Sequence, residues 1–379
     1  MSEFLNHKLQ LRRKNETYRS LPLKEHLLDF CSNDYLGFAR SQQLPQLAQQ
    51  YVQSFSKAGA TGSRLITGNH TFIEQVEQEI AQYHAAEAGL LLNSGYDANL
   101  GLLACIADAE DTIISDALVH ASIIDGIRLS KAQKRIFRHN DLADLAHHLR
   151  LAQGRKFIVV ESVYSMDGDL APLTAIANLA LQFDAHLLVD EAHATGVIGP
   201  EGKGLVQALG LEKVVLARVI TFGKALGVHG AIILGSHSLR DYLINFCRPF
   251  IFSTGLPLHS IASIKAAYEL LKQSKTERHQ LHQNIEHFKN GLRDHPWFDQ
   301  LIPSDSAIQS LVLPGATLAK DCSQLLEHHG FYAKAIVYPT VAKDSERIRI
   351  CLHSFNSTQD IDALSDQIKL AESTTRTFG

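Results

Sequence analysis

The hydrophobic positions of the chain form short apolar runs that alternate with helical patterns. Phe72, Val76, Ile80 and Tyr83 recur at intervals of three or four residues, which marks one face of a helix. Apolar runs predict strands at residues 90–92, 112–115, 157–161, 187–190, 214–222 and 231–234. Helical patterns lie between or after them at residues 121–130, 173–183 and 238–247. Apolar strands separated by helices predict an α/β architecture with a mainly parallel sheet covered on both faces.

The pattern changes after about Pro257. A long helical stretch covers residues 265–292, and strands at 307–313, 332–337 and 347–352 surround a helix at 318–329, which is an α+β pattern. The first forty residues are too short for a domain. We therefore predict an N-terminal arm at residues 1–40, a large α/β domain at 41–260 and a smaller α+β domain at 261–379.

Composition and charge exclude several classes of function. Lys and Arg number 36 against 40 Asp and Glu, a net charge of −4, so the positive field typical of nucleic-acid binders is missing. The first twenty residues carry charges where a signal peptide needs an apolar core, and no apolar run approaches the length of a membrane span. We expect a soluble cytoplasmic protein without nucleic-acid partners.

The cysteines and histidines raise the question of a metal. Five cysteines, an odd number without a C-x-x-C pair, fit buried apolar positions better than a zinc or redox site. The 20 histidines are more than an average chain has. Asp190 and His193, with His120 as a third group, remain an alternative metal site, although no tight H-x-x-x-H pair accompanies them.

Candidate chemistry lies directly after predicted strands, because ligands of parallel sheets bind beyond the carboxyl ends of the strands. Asp190 and His193 follow one apolar run, and Lys224 follows another between two glycines. The segment from Ser94 to Asn99 is a small-residue turn and helix start that presents backbone N–H groups to a phosphate.

Each of these motifs has an alternative interpretation. The letters Asp-Glu-Ala-His at residues 190–193 also occur in helicases, but that chemistry needs a G-x-x-x-x-G-K-[ST] loop, which the sequence lacks. A lysine between glycines is, taken alone, most often a solvated loop residue. Together, however, the three places supply what pyridoxal 5′-phosphate requires: a lysine (Lys224), an acid for the pyridine nitrogen (Asp190), a phosphate cup (Ser94, Gly95, Tyr96) and a flat group against the ring (His120).

At this level of detail the sequence resembles the α-oxoamine synthases, a family of fold-type I pyridoxal-phosphate enzymes. The resemblance covers nearly the whole chain. It rests on these motifs: residues 32–37 (SNDYLG), 62–64 (GSR), 94–96 (SGY), 115–122 (SDALVHAS), 165–169 (SMDGD), 190–193 (DEAH), 221–224 (TFGK) and 252–254 (FST).

The resemblance implies roles around the cofactor. Lys224 would carry it as a Schiff base and later move the Cα proton of the substrate, with Asp190 on the pyridinium nitrogen and His120 stacked on the ring. The other cofactor contacts that it implies are Ser165 and His193 at the phenolic oxygen, and Ser94, Gly95, Tyr96 and Thr221 around the phosphate.

It also implies roles for substrates and partners. Ser253 and Thr254 resemble a segment that reaches the phosphate of a neighbouring subunit, so a homodimer with shared active sites is expected. Asn33 and Arg349 match the groups that hold the amino-acid carboxylate. Arg19 and Thr340 resemble contacts to the acyl substrate, although the N-terminal arm is shorter than is usual for the family, which weakens the match at Arg19.

Within the family, residues 165–173 and 221–231 look most like the branch that makes 8-amino-7-oxononanoate for biotin from alanine and a pimeloyl thioester, carried by coenzyme A or an acyl-carrier protein. Residues 115–126 also resemble the glycine C-acetyltransferase branch, and a serine palmitoyltransferase activity is a further alternative. Outside the synthases, an aminotransferase and an inactive partner subunit are the alternatives. The presence of Lys224, Asp190 and His120 disfavours the inactive subunit.

Overall fold

A computed structural model describes residues 3–15, 17–53 and 55–376 of the chain. The strands are β1 (Leu28–Asp29), β2 (Ala88–Leu92), β3 (Thr112–Asp116), β4 (Gln133–Phe137), β5 (Lys156–Glu161), β6 (Ala185–Asp190), β7 (Val215–Thr221), β8 (Ala231–Gly235), β9 (Ile308–Val312), β10 (Phe331–Tyr332), β11 (Lys334–Ile336) and β12 (Arg347–Cys351). The α-helices are α1 (Glu3–Lys14), α2 (Gln43–Val52), α3 (Thr71–Tyr83), α4 (Gly95–Cys105), α5 (Ala121–Leu129), α6 (Leu142–Leu151), α7 (Leu173–Gln182), α8 (Leu205–Ala208), α9 (His237–Phe246), α10 (Arg248–Phe252), α11 (Leu258–Gln273), α12 (Lys275–Leu292), α13 (Ala316–His328) and α14 (Thr358–Arg376).

A seven-stranded sheet in the order β2-β8-β7-β6-β5-β3-β4 forms the centre of the molecule. Its neighbouring strands pair in parallel from β7 to β4, whereas β8 is antiparallel to both β7 and β2. Consecutive residues enter different hydrophobic clusters: Ile113 packs with residues of α4 and α5, and Ile114 packs with residues of α6 and α7. Helices therefore cover both faces, as the apolar strands predicted.

A smaller antiparallel sheet in the order β11-β12-β9 lies in the C-terminal third of the chain. The N-terminal arm reaches this region, because β1 pairs in parallel with β10 and the Cys351 N–H donates to the carbonyl of Phe30 at 2.9 Å. None of the described helices is both long and apolar enough to cross a membrane.

The structure differs from the predicted elements at several places, and it contains helices that were not predicted, namely α1, α2, α6, α8, α10 and α14. The stretch 265–292 is two helices, α11 and α12, which meet at Ser274 because its hydroxyl donates to the carbonyl of Leu270 and its backbone leaves the helical region. Residues 332–337 belong to two strands, β10 and β11, of different sheets. The edge strand β4 was not predicted, because its residues are mostly polar and exposed.

Candidate active site

The candidate site lies where three parallel strands of the central sheet end. Glu161 is the last residue of β5 and pairs in register with Asp190, the last residue of β6, which in turn pairs with Val219 of β7. Lys224 follows the end of β7 by three residues. The topology thus brings together carboxylates and an amine that are far apart in sequence, at the edge where parallel sheets bind ligands.

The amine of Lys224 faces His193, with Nζ 2.8 Å from Nε2 of the ring. Burial lowers the pKa of Lys224 to about 8, and the neighbouring Asp190 and Glu161 limit this shift. Burial, followed by the charge of Lys224, lowers the pKa of His193 well below its usual value. Near neutral pH, therefore, the histidine is uncharged and a fraction of the lysine is a free amine.

The carboxylate of Asp190 is held by two donors. The amide Nδ2 of Asn99 lies 2.7 Å from Oδ2, and the Ala192 N–H lies 2.9 Å from Oδ1. The neighbouring Glu161 is buried, and burial together with the charge of Asp190 raises its pKa to about 8. Glu161 therefore keeps its proton at neutral pH.

His120 precedes α5 and caps its first turn. The ring Nδ1 accepts from the Ser122 N–H at 3.2 Å and lies 2.8 Å from the Ser122 hydroxyl. The His120 side chain is exposed, and the Tyr96 ring stands edge-on to it at 6.4 Å between centroids. The ring is thus fixed at one edge and open on the side where a flat ligand stacks.

Helix α4 begins at Gly95, beside the end of β7. The Ser94 hydroxyl caps the helix by accepting from the Asp97 N–H at 3.1 Å. A Cβ at Gly95 would lie 3.2 Å from Cβ of Thr221, so glycine lets the helix start approach the strand closely. The exposed Tyr96 donates its hydroxyl to Asp125. A helix N-terminus beside Thr221, three residues before Lys224 in the chain, suits a phosphate group.

Arg349 of β12 enters the site from the small sheet. Its guanidinium is buried and donates to Oδ1 of Asn33 at 3.0 Å and to the carbonyl of Ser165 at 2.7 Å. Within the described ranges, no carboxylate forms an ion pair with it. A buried cation without a counter-ion is costly, so this arrangement favours an anionic ligand such as a carboxylate.

Tyr35 connects the arginine end of the site to the lysine end. Its hydroxyl is fully buried and lies 3.0 Å from Oδ1 of Asn33 and 2.7 Å from Nδ1 of His193. Burial raises the pKa of Tyr35 above its usual value, so the hydroxyl keeps its proton. Asn33, Tyr35, His193 and Lys224 form one continuous hydrogen-bonded chain.

For four of the predicted site residues, no described side-chain hydrogen bond joins them to the residues above. Arg19 and Thr340 are exposed, and in the part of the chain that the structure describes neither has a side-chain hydrogen bond to those residues. Ser253 is half-buried and Thr254 exposed; the carbonyl of Thr254 accepts from the amide of Asn93, next to the start of α4. Their predicted roles concern an acyl substrate and a second subunit.

Comparisons with known proteins identify the family to which this architecture belongs. The model of the aminotransferase class I and II family matches residues 25–368. The chain is 42% identical to an 8-amino-7-oxononanoate synthase of Emericella nidulans, in an alignment that covers 90% of this chain and 88% of that protein.

This chain belongs to the aminotransferase class I and II family.

Solved structures of the family agree. A serine palmitoyltransferase variant of S. paucimobilis, solved with a bound PLP–myriocin aldimine, superposes with a TM-score of 0.91 at 26% identity and covers 99% of this chain and 98% of its own. An 8-amino-7-oxononanoate synthase of Francisella tularensis has a TM-score of 0.80 at 28% identity, covering 93% and 99%. The predicted fold-type I architecture and the membership of the α-oxoamine synthases are confirmed.

The residues present fit the cofactor of this family, pyridoxal 5′-phosphate. The site offers a half-buried amine with a lowered pKa, a carboxylate held by two donors, an exposed imidazole face and a glycine-opened helix N-terminus. Among the described residues, no group of three or more His, Cys, Asp or Glu side chains could hold a metal ion.

Sequence reasoning overlooked four polar residues of the site. Glu161 carries the same signal as Asp190, a carboxylate at the end of an apolar run. Tyr35 lies in the motif at residues 32–37, but its buried position was not apparent from the letters. Asn99 ends the segment at residues 94–99 and Ser122 ends the motif at residues 115–122, and only the fold shows that their side chains meet at 3.0 Å.

Proposed function

We propose that the chain is a pyridoxal-phosphate-dependent acyltransferase that condenses L-alanine with a pimeloyl thioester, releases carbon dioxide and the thiol, and yields 8-amino-7-oxononanoate for biotin biosynthesis. The 42% identity to the Emericella nidulans synthase over 90% of this chain carries the proposal. When bound, pyridoxal 5′-phosphate supplies an electron sink for negative charge at the substrate Cα.

In this proposal, Lys224 holds the cofactor and later moves the proton at Cα. A pKa of about 8 leaves part of the released lysine as a neutral amine at physiological pH, which is the form that removes a proton. Asp190 keeps the pyridine nitrogen protonated, His120 stacks on the ring, and Ser165 and His193 bind the phenolic oxygen. Ser94, Gly95, Tyr96 and Thr221 bind the phosphate.

The amino acid is bound through its carboxylate by Arg349 and Asn33. The buried guanidinium orients this group, which leaves as carbon dioxide after the new carbon–carbon bond has formed. Glu161 beside Asp190 is uncharged at neutral pH and so adds no repulsion toward a substrate carboxylate.

The quaternary structure and compartment are part of the proposal. We propose a homodimer in which Ser253 and Thr254 of each subunit reach the phosphate in the other, and in which Arg19 and Thr340 contact the acyl thioester. The exposed Phe252 and Thr254 next to the half-buried Ser253 support an interface at this segment. Five free thiols fit a reducing cytoplasm.

A second candidate is a serine palmitoyltransferase, since those structures have the higher TM-score, 0.91 against 0.80. The sequence favours the first proposal, because the identity to the solved serine palmitoyltransferase is 26%, against 42% to the synthase from Emericella nidulans. The glycine C-acetyltransferase is a third activity for the same site.

The decisive experiment offers alanine, glycine and serine against pimeloyl, acetyl and palmitoyl thioesters and measures carbon dioxide and thiol release. We expect turnover only with alanine and the pimeloyl thioester. Turnover of glycine with acetyl-CoA, with alanine and pimeloyl thioester inert, would overturn the assignment. An aminotransferase would instead form a stable pyridoxamine after incubation with alanine alone.

Lys224→Ala is the matched test of the cofactor site. It should abolish turnover and the borohydride-reducible visible absorbance of the purified enzyme, because Lys224 is the amine that interacts with Asp190 and Glu161. Retention of either property would contradict the assignment of Lys224.

A further inference from the structure

A chain of hydrogen bonds joins Asp190 to His120 through two buried residues. The amide Nδ2 of Asn99 donates one hydrogen to Oδ2 of Asp190 at 2.7 Å and the other to Oγ of Ser122 at 3.0 Å. The Ser122 oxygen lies 2.8 Å from Nδ1 of His120. Asn99 and Ser122 are buried, so neither exchanges these partners for water.

The direction of every bond in this chain is fixed. A backbone N–H only donates, and the Ser122 N–H points at Nδ1 of His120 at 3.2 Å, so Nδ1 is an acceptor. The Ser122 oxygen accepts from Asn99, which leaves its own proton free to donate to the same nitrogen. A neutral imidazole has one N–H, and here it must be on Nε2.

We propose that Asn99 and Ser122 are positioning residues that keep His120 uncharged, with its proton on Nε2, and that couple its orientation to Asp190. A charged imidazolium would need a proton on Nδ1, where two donors already point. The inference rests on the proposed function, in which His120 lies against a protonated pyridine ring. A neutral ring stacks there without the repulsion of two facing positive charges.

The surroundings of His120 act on its charge in both directions. Desolvation lowers its pKa, Asp190 opposes this, and Lys224 lowers the pKa further. The other titratable groups that face it are Tyr96, His193 and Glu161, the last beside the His120 backbone. Asp190 favours the charged form, and the two donors on Nδ1 act in the same direction as desolvation and Lys224 against it.

The first experiment observes His120 without cofactor. Histidine side chains of the isotope-labelled, cofactor-free protein are followed by long-range proton–nitrogen NMR from pH 5 to 8, and His120→Asn identifies the signal by its loss. We expect the Nε2–H form in the wild type. In Ser122→Ala the pKa of His120 should rise by about 0.5–1 unit, because one of the two donors is lost.

The control is Ser365→Ala, which removes another buried serine hydroxyl, one that donates to the carbonyl of Ile361 at 2.9 Å inside α14. It should leave the titration of His120 unchanged. A proton on Nδ1 in the wild type, or an equal titration of His120 in the wild type and Ser122→Ala, would overturn the proposal.

The second experiment uses the loaded enzyme. Dissociation constants for pyridoxal 5′-phosphate are measured at pH 6 and pH 8 from the visible absorbance. In Ser122→Ala the ratio of the pH 6 value to the pH 8 value should exceed that of the wild type and of Ser365→Ala, by up to about threefold for a rise of 0.5 unit in the pKa of His120, which changes the protonation equilibrium about threefold. Equal ratios would refute the coupling to the cofactor.

If the wild type bound no cofactor, the proposed function would fail, while the NMR titration would still decide the role of Ser122.

Discussion

Glu161 shows how one buried residue makes stability depend on pH. Its pKa of about 8 in the folded protein lies above the ordinary value of 4.5, so the folded state binds more protons than the unfolded state between these values. The groups that face it are Asp190 and Lys224. The contribution of Glu161 to the free energy of unfolding is therefore fully present below about pH 4.5. It decreases as the pH rises from 4.5 and is lost once the pH passes 8.

We expect Glu161→Gln to flatten this dependence in the cofactor-free protein. The free energy of unfolding of the wild type should fall relative to the variant by about 1 kcal/mol or more between pH 5 and 8, since one pKa unit corresponds to about 1.4 kcal/mol. Urea unfolding at the two pH values measures this. Glu110→Gln, which changes an exposed carboxyl group, is the control. If the free energy of unfolding depended on pH equally in both variants, the raised pKa of Glu161 would not be the cause.

Tyr35 offers a second test at this scale. Tyr35→Phe removes the hydroxyl between Asn33 and His193 and should raise the KM for alanine about 2–12-fold, the equivalent of one hydrogen bond of about 0.5–1.5 kcal/mol. Steady-state kinetics at saturating thioester measures it. Tyr268→Phe is the matched control, because it removes a buried hydroxyl that lies 3.0 Å from another buried histidine, His84. An equal rise in both variants would mean a general loss of packing.

The residues that sequence reasoning found share a local signal. Asp190 and Lys224 follow apolar runs, and Ser94 precedes a helix, so neighbours along the chain identify them. Asn99 and Tyr35 act through partners 91 and 158 positions away, Asp190 and His193, and no local pattern contains such a distance. The fold has to be known before their roles can be inferred.

At the scale of elements, two glycines that precede helices separate two costs of adding a side chain, backbone strain and close packing. Gly204 precedes α8 with φ 97°, and Gly315 precedes α13 with φ 99°. A Cβ at Gly204 would lie 2.7 Å from the buried carboxylate oxygens of Glu191, whereas a Cβ at Gly315 would meet nothing within 4 Å. The two positions differ in surroundings and share their strain.

Gly315→Ala should therefore cost about 1–2 kcal/mol from the left-handed backbone alone. Gly204→Ala should cost at least about 2 kcal/mol more, because Glu191 is fully buried and cannot move aside. Chemical denaturation of both variants gives the difference. Equal decreases in the free energy of unfolding would show that the Glu191 side chain moves aside without destabilising the fold.

Most strands and helices of the central sheet could be predicted, because a strand buried on both faces is apolar at every position. Strand β4 escaped this rule, since it lies at the sheet edge with one buried residue, Phe137. The break at Ser274 was also missed, because the helical periodicity continues on both sides of it. The position of an edge strand and the end of a helix depend on tertiary contacts, and the pattern of apolar residues along the chain does not show these contacts.

At the scale of the whole molecule, the N-terminal arm divides into a part without buried side chains and a part that is integral to the core. Helix α1 has no buried residue, whereas Phe30 is fully buried and its backbone hydrogen-bonds to Tyr332. The predicted domain boundaries at 40 and 260 stay a prediction.

Deleting residues 1–14 should leave the melting temperature within about 2 °C of the full chain, since α1 contributes no buried side chain. Phe30→Ala should lower it by at least about 5 °C, because a buried phenylalanine contributes about 3–5 kcal/mol. Thermal unfolding followed by circular dichroism compares them. A large decrease in melting temperature on deletion would mean that α1 has a packing role beyond the contacts within a single subunit.

The position of Arg349 on the last strand has a consequence for synthesis on the ribosome. A nascent chain that has already exposed Asp190 and Lys224 still lacks β12, which pairs with β9 and brings the guanidinium to Asn33. In the proposed mechanism the cofactor-binding half is thus translated first and the amino-acid pocket last. A polypeptide that has not yet reached β12 then lacks the group that holds the substrate, and the condensation waits until this strand has been translated and has paired with β9.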